Sequence, residues 1–471
     1  MNKTNWMNEI LDRRDQFTAD LQKLIQIPSV KSATGEKNAP FGKSVKEALD
    51  YMLTLGETDG FTVKNVDNVA GHLEMGEGEG LIGLLCHVDV VPAGDGWTRE
   101  PFGGELESGK IFGRGAIDDK GPTMAAYYAM KIVKELGIPL EKRVRMIIGT
   151  DEESDWQCVG RYFQTEEMPD AGFAPDADFP IIFAEKGIAD ADVELLLPKP
   201  DQAEVSITKF DSGLRYNMVP DFARVSLLID QNHTLFLQNY TEYIEEHHLD
   251  GSYHIESGMV VLEMKGKSAH AMEPDLGQNA ALSLAAFLDR QRLDAAGAAY
   301  IQFIMRHFYG DTRGHSLGLA AADPEMGDVT LNPAIFRYEK EKVAHIGINI
   351  RYPVSFSFDD EMTKLTKRLK KEQAVCRIVS NSEPHYVQPD DPFIKTLKYV
   401  YEEETGKKAE LLSIGGGTYA RALKTGVAFG ALFPGRPDVA HQKDEYAFLG
   451  DLMQAAAIYA RAIVELAGKK E

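Results

Sequence analysis

The sequence predicts an α/β fold: a central mixed sheet flanked by helices, carrying a polar site at its strand ends and interrupted by an inserted α+β segment. Leu81-Ile82-Gly83-Leu84-Leu85-Cys86 is a continuous apolar run cut off by His87, Asp89 and Pro92, as suits a strand buried on both faces. Val144 to Thr150 is a second such run, and it delivers Asp151-Glu152-Glu153-Ser154. Open α/β sheets place their sites where strands leave the core. With 471 residues, the chain exceeds the size at which one core keeps growing, so two domains are expected.

The elements follow in order. Residues 7–25 have helical spacing, with Ile10, Phe17, Leu21, Leu24 and Ile25 mainly on one face. Residues 120–136 read as a helix that follows the Asp118 loop and ends at Gly137 and Pro139. After Lys186-Gly187 the character changes. Residues 203–207 and 222–229 read as strands, 279–288 as a helix, 344–352 as a strand and 359–371 as a charged helix. His441 then returns to polar chemistry of the first kind. Candidate ligands on both sides of the segment must converge, so residues 1–186 and 385–471 are expected to form one discontinuous domain around an insert at 187–384.

A net charge of −22 argues against nucleic acid or an anionic membrane as partner. No stretch reaches the roughly 18 apolar residues of a spanning helix, and Met1 to Trp6 lacks the apolar core of a signal peptide. A soluble cytoplasmic protein acting on a small molecule is expected. Cys86, Cys158 and Cys376 are odd in number and far apart, which does not suit a disulfide framework. Cys86 points to the face opposite His87 and is read as core packing.

The polar residues point to metal chemistry. His87 and Asp89 lie on one strand face, so the carboxylate can orient the imidazole; alone, such a pair is commonly an ordinary hydrogen bond. The acids Asp151, Glu152 and Glu153 repel one another and stay charged together when a cation neutralises them. Asp176 and Asp178 follow the next apolar segment, and His441 comes late. Two imidazoles and several carboxylates suit Zn²⁺ or Mn²⁺ better than an ion that prefers thiolates.

The motifs occur in the order His-x-Asp (87–89), Gly-Arg-Gly-x-x-Asp-x-Lys-Gly (113–121), Asp-Glu-Glu (151–153), Pro-Asp-Ala (175–177), Gly-x-x-Ala-His (266–270) and a late His. This order resembles the co-catalytic metallopeptidases grouped with glutamate carboxypeptidase, aminoacylase and succinyl-diaminopimelate desuccinylase. Within that group it is most similar to the bacterial peptidase V, or carnosinase-like, dipeptidases, over nearly the whole chain. The resemblance implies a zinc-peptidase catalytic domain and a lid formed by the insert. The insert's length suggests a doubled lid and hence a monomer.

By the same resemblance, two metal ions bind per chain, Zn²⁺ with Mn²⁺ as the alternative. His87 and Asp176 would hold one and Glu153 and His441 the other. Asp118 would bridge them, with Asp119 the alternative to Asp118 and Asp178 the alternative to Asp176. Glu152 would be the general base acting on water between the metals, and Asp89 would orient His87. His270 would donate to the oxyanion, Asn217 would contact substrate or oxyanion, and Arg351 would grip the substrate carboxylate with Gly416 and Thr418 beside it. The remaining histidines are read as structural or solvated. Tyr419 departs from the family pattern, where an Asp is common. Relatives acting on acylated amino acids tend to carry Glu at the position of Asp176, so this residue implies a dipeptidase for substrates with a free amino terminus. The alternatives are an N-acyl-amino-acid deacylase or desuccinylase with the same site, and a non-catalytic binding homologue.

Overall fold

The computed structural model describes residues 4–230 and 233–469. The chain divides into two compact units. The first runs to Ala184 and takes in Tyr386–Leu412 and the chain from Thr418 onward; the second comprises Glu185–His385 and Ser413–Gly417.

In the first unit the strand Leu81–His87 is buried at every residue, as its unbroken apolar run requires. It lies between Arg143–Gly149 and Ala171–Ala174, parallel to both, with His87 opposite Gly149 and Leu84 opposite Phe173. The sheet continues from Arg143–Gly149 to Ala70–Met75 and Thr62–Val66 on one side, and from Ala171–Ala174 to Gly426–Ala428 on the other. Parallel register brings the carboxyl ends of three neighbouring strands to one edge, where His87 is the last residue of its strand and Asp151 to Glu153 and Asp176 lie just past the ends of theirs.

The helix Lys120–Glu135 is buried from Lys120 through Val133 and packs against Arg14–Ile25 and Leu449–Ala467. Its first turn approaches the preceding loop so closely that a Cβ on Gly121 would lie 2.1 Å from the Ala116 carbonyl oxygen, so glycine is required there. The helix stops at Leu136, followed by Gly137 at φ 62°, the left-handed terminator glycine favours.

Two elements differ from expectation: the strand read at 203–207 runs instead over Val205–Ser212, and the first helix is broken. Residues 7–25 form two helices, Trp6–Leu11 and Arg14–Ile25. The Arg13 N–H donates to Ile10 O, while the Glu9 carbonyl takes the Arg13 guanidinium at 2.5 Å. A side chain thus replaces the backbone donor, and the axis can break while Trp6, Ile10, Phe17 and Leu21 stay buried.

The second unit is an antiparallel sheet in the order Asp250–Glu256, Met259–Lys265, Phe222–Ile229, Val205–Ser212, Thr330–Glu339, Val343–Tyr352, Gly187–Leu195, Ala374–Ser382. Along Gly187–Leu195, Ala189, Ala191 and Val193 are buried and Asp190 and Asp192 are not, the period-two pattern of a sheet with one apolar face. The helices Ala280–Leu288, Ala295–His307 and Phe358–Lys371 contribute Leu284, Ile304 and Leu365 to the same core. Asn279 caps the first of them, accepting from the Ala281 and Leu282 N–H groups.

Phe287 packs on Phe236, Tyr240 and Tyr243 with ring centroids 4.9 to 5.5 Å away. Phe287→Ala is expected to destabilise this unit by about 3–5 kcal/mol, read as a lowered urea midpoint in far-UV circular dichroism. The three cysteines are unpaired. Among the described residues no helix is long and apolar enough to cross a membrane.

Candidate metal centre

His87 is fully buried, and its Nδ1 lies 3.1 Å from the Asp89 carbonyl oxygen and 3.5 Å from Asp89 Oδ1. The Asp89 carboxylate also accepts from the backbone N–H groups of Glu152 and Glu153, each at 3.2 Å. One buried acid therefore ties the end of the first strand to the loop beyond the second. That loop is closed by Asp151, whose carboxylate accepts from Ser154 Oγ at 2.5 Å and Gln157 N–H at 2.9 Å and pairs with Lys31 at 2.6 Å.

With Nδ1 engaged, His87 Nε2 faces Asp118 Oδ1 at 3.2 Å and Asp176 Oδ2 at 3.7 Å. The other oxygen of Asp118 lies 2.9 Å from His441 Nε2, which is also 3.0 Å from Glu153 Oε2. Asp118 thus presents one oxygen to each imidazole. Possible ligand atoms fall into two groups, each within 4.8 Å: His87, Glu152 and Asp176; and Asp118, Glu153 and His441. Asp119, the neighbour across a cis peptide, faces elsewhere: its Oδ2 accepts from His87 N–H at 3.1 Å and Thr123 Oγ1 at 2.9 Å. Asp178 is exposed in the short strand Ala177–Asp178 and belongs to neither group.

The electrostatics of the cluster are those of crowded acids. Burial pushes the Glu152 carboxyl well above the usual range; Asp176, Asp118 and Glu153 add repulsion against the opposing pull of His87. Burial likewise raises Asp176 and Glu153, each with Asp118 as the strongest repelling charge. For Asp118 burial acts upward, but His441 and His87 outweigh it and hold the carboxyl below the ordinary range. Hydrogen bonds donated to Asp118 and Glu153 lift His441 to about 11, and His87 is raised despite its burial by Asp118 and Asp176. The acids thus draw positive charge onto the imidazoles. A divalent cation in each group would supply that charge without a proton. His87 Nε2 is buried with no hydrogen-bond partner among the described residues, and both groups consist of imidazole and carboxylate without thiolate. The donor set therefore fits a pair of borderline divalent ions.

Residues that sequence reasoning missed hold this arrangement in place. Glu445 is fully buried, pairs with Arg114 at 2.5 Å, and accepts from the Ile117 and Asp118 N–H groups at 3.1 and 3.4 Å. Burial and the charge of Asp118 lift its carboxyl to about 7. Lys120 is buried, donates to Ile27 O at 2.6 Å and is lowered by burial to about 7. The run Arg114 to Lys120 carried part of this signal; Glu445 had none beyond being an acid four residues after His441.

The second unit gathers a further set of predicted residues. Val219 N–H donates to Ala269 O at 2.8 Å and Ala271 N–H to Asn217 O at 2.9 Å, so the Asn217 and His270 segments pair. His270 Nδ1 accepts from Met272 N–H at 3.2 Å, and burial, with Arg351 nearby, lowers the imidazole to about 4. Arg351 is buried; its Nε donates to Asn349 Oδ1 at 2.7 Å and one terminal nitrogen to Gly415 O at 3.2 Å. Gly416 is in this unit, whereas Thr418 falls in the first, where its Oγ1 caps the short helix Tyr419–Ala422.

Residues 83–465 match the profile of the Peptidase family M20/M25/M40. The "Putative dipeptidase YtjP" of Bacillus subtilis (strain 168) is 51% identical over 467 residues, 98% of this chain and 100% of that protein. A Staphylococcus epidermidis protein bearing the same general name is 43% identical over 464 residues, 98% of this chain and 99% of its own. Human carnosine dipeptidase 1 shares the fold, with a TM-score of 0.56 over 98% of each chain at 15% identity.

Proposed function

The chain belongs to the Peptidase family M20/M25/M40, and from that premise we propose that it is a dinuclear-metal dipeptidase hydrolysing dipeptides with a free amino terminus. The observation that carries this reading is Asp118, whose two oxygens face two different imidazoles. The naming of relatives of 51% and 43% identity as dipeptidases supports the substrate class.

His87 and Asp176 would hold one ion and Glu153 and His441 the other, with Asp118 shared between them; Zn²⁺ suits these donors, with Mn²⁺ the alternative. When bound, such a pair polarises the scissile carbonyl and acidifies water. The chain's own residues do the rest. Glu152, left out of the ligand set and raised in proton affinity by burial, takes the proton of the attacking water on its carboxylate and passes it to the leaving amine. Asp89 fixes the His87 ring and the Glu152 and Glu153 amides together. In the second unit, His270 and Asn217 donate to the developing oxyanion. Arg351, with its Nε edge held by Asn349, pairs with the substrate carboxylate, and Gly416 and Thr418 are further substrate-binding residues. The protein works as a monomer in the cytoplasm.

Hydrolysis of free dipeptides, their N-acetylated forms and tripeptides by the metal-loaded protein tests the reading. Free dipeptides are expected to be preferred by about 10²-fold or more in kcat/KM, since an ammonium would meet the carboxylates near the second ion and a blocked amine would leave them without that partner. Preference for the N-acetylated series would make the chain a deacylase, and turnover of none, with metal bound, would make it a binding protein.

A further inference from the structure

We propose that Tyr419 is a positioning residue for the metal centre, setting the tilt of the His87 imidazole. This rests on the metal reading above. Tyr419 is fully buried at the start of the helix Tyr419–Ala422. Its phenol meets the imidazole of His87 edge-on, with centroids 5.9 Å apart and planes at 89°. Its hydroxyl is hydrogen-bonded to Cys158 Sγ at 3.2 Å, and the indole of Trp156 packs against it at 5.3 Å and 72°.

The backbone makes room for this ring. Gly149 is paired in register with His87, and a Cβ there would lie 1.9 Å from the Tyr419 hydroxyl. The glycine at the end of one strand therefore admits a ring that braces the histidine at the end of its neighbour. Apart from the candidate ligands Asp118 and Asp176 that Nε2 faces, the polar contacts that hold the imidazole are at Nδ1, from the Asp89 carbonyl and carboxylate. A hydrogen bond to one ring nitrogen leaves the ring free to pivot about that contact, swinging Nε2 away from its target. A perpendicular aromatic neighbour, anchored at its tip by Cys158 and at its flank by Trp156, blocks the pivot. Outer partners of this kind govern how well a histidine binds metal. Tyr419 itself touches no reacting atom.

The test is titration of the metal-free full-length protein with Co²⁺ alone, followed by visible absorption and calorimetry, with His87→Ala used to identify the binding step that depends on His87. Tyr419→Leu is expected to weaken that step about tenfold or more, leaving the other step within about twofold. Tyr419→Phe, which keeps the ring, is expected to recover to within about threefold of wild type. If the leucine variant does not fold by circular dichroism, Tyr419→Met takes its place with the same expectation. Unchanged steps in a folded variant, or equal weakening of both, would reduce Tyr419 to core packing and overturn the assignment. A wild-type protein that takes up no Co²⁺ would overturn the metal reading beneath it; one that takes up two beside an unaffected variant overturns this assignment alone.

Discussion

Replacing Glu152 by glutamine is expected to lower kcat for a free dipeptide about 10²–10⁴-fold while two metal ions stay bound. The substitution keeps shape and removes the proton acceptor. It leaves the backbone anchor intact, because the contact from Glu152 to Asp89 is made by the main-chain N–H. The adjacent carboxylate sets the contrast. Glu153 faces His441 Nε2 at 3.0 Å, so Glu153→Gln is expected to lose metal along with activity. Turnover by chromatographic product analysis and metal content by elemental analysis, on the same preparations, separate the two roles. If Glu152→Gln lost metal in step with kcat, Glu152 would be a ligand, as its closeness to His87 and Asp176 also permits geometrically, and the proton acceptor would have to be sought elsewhere.

The sequence made the scaffold of this site readable because strand ends are marked by abrupt changes of polarity. The run ending at Cys86 and the run ending at Thr150 both stop where polar side chains begin, and parallel register turns two separate stops into one edge. Periodicity likewise located the helices that begin at Lys120, Ala280 and Phe358 to within a residue. The hidden parts depend on contacts between residues far apart in the chain. Glu445 steadies the Asp118 loop from 327 positions away, and a buried acid looks like any other acid until its partner Arg114 is in place. Tyr419 reads as a substitution in a glycine-rich loop until the space above Gly149 is seen to be occupied by its hydroxyl. The break at Arg13 is invisible for a related reason: the apolar face continues through it, and the guanidinium that satisfies Glu9 O leaves no mark on the pattern. Ser413–Gly417 groups with the second unit although its sequence neighbours group with the first, and five residues are too few to carry a compositional signal.

Substitution at Asp118 and at its neighbour Asp119 should have opposite consequences, although the sequence alone offers the two acids as alternatives. Asp118→Ala removes the carboxylate that faces both imidazoles. It is expected to weaken both metal steps by more than the roughly 10–100-fold typical of outer partners, with activity lost accordingly. Asp119→Asn should keep both ions. Its Oδ2 accepts from His87 N–H and Thr123 Oγ1, bonds an amide oxygen can retain. Burial raises the Asp119 carboxyl well above its ordinary range. Thermal unfolding with and without chelator gives an independent readout. Ligands that bind the folded chain alone stabilise it by about 2.7 kcal/mol at a hundred times Kd. Chelator should therefore lower the Tm of wild type and Asp119→Asn, and leave Asp118→Ala, which binds too weakly to gain that stabilisation, where it was. A chelator-insensitive Asp119→Asn beside a chelator-sensitive Asp118→Ala would exchange the roles of the two residues and, with them, the path by which His87 and His441 share a carboxylate.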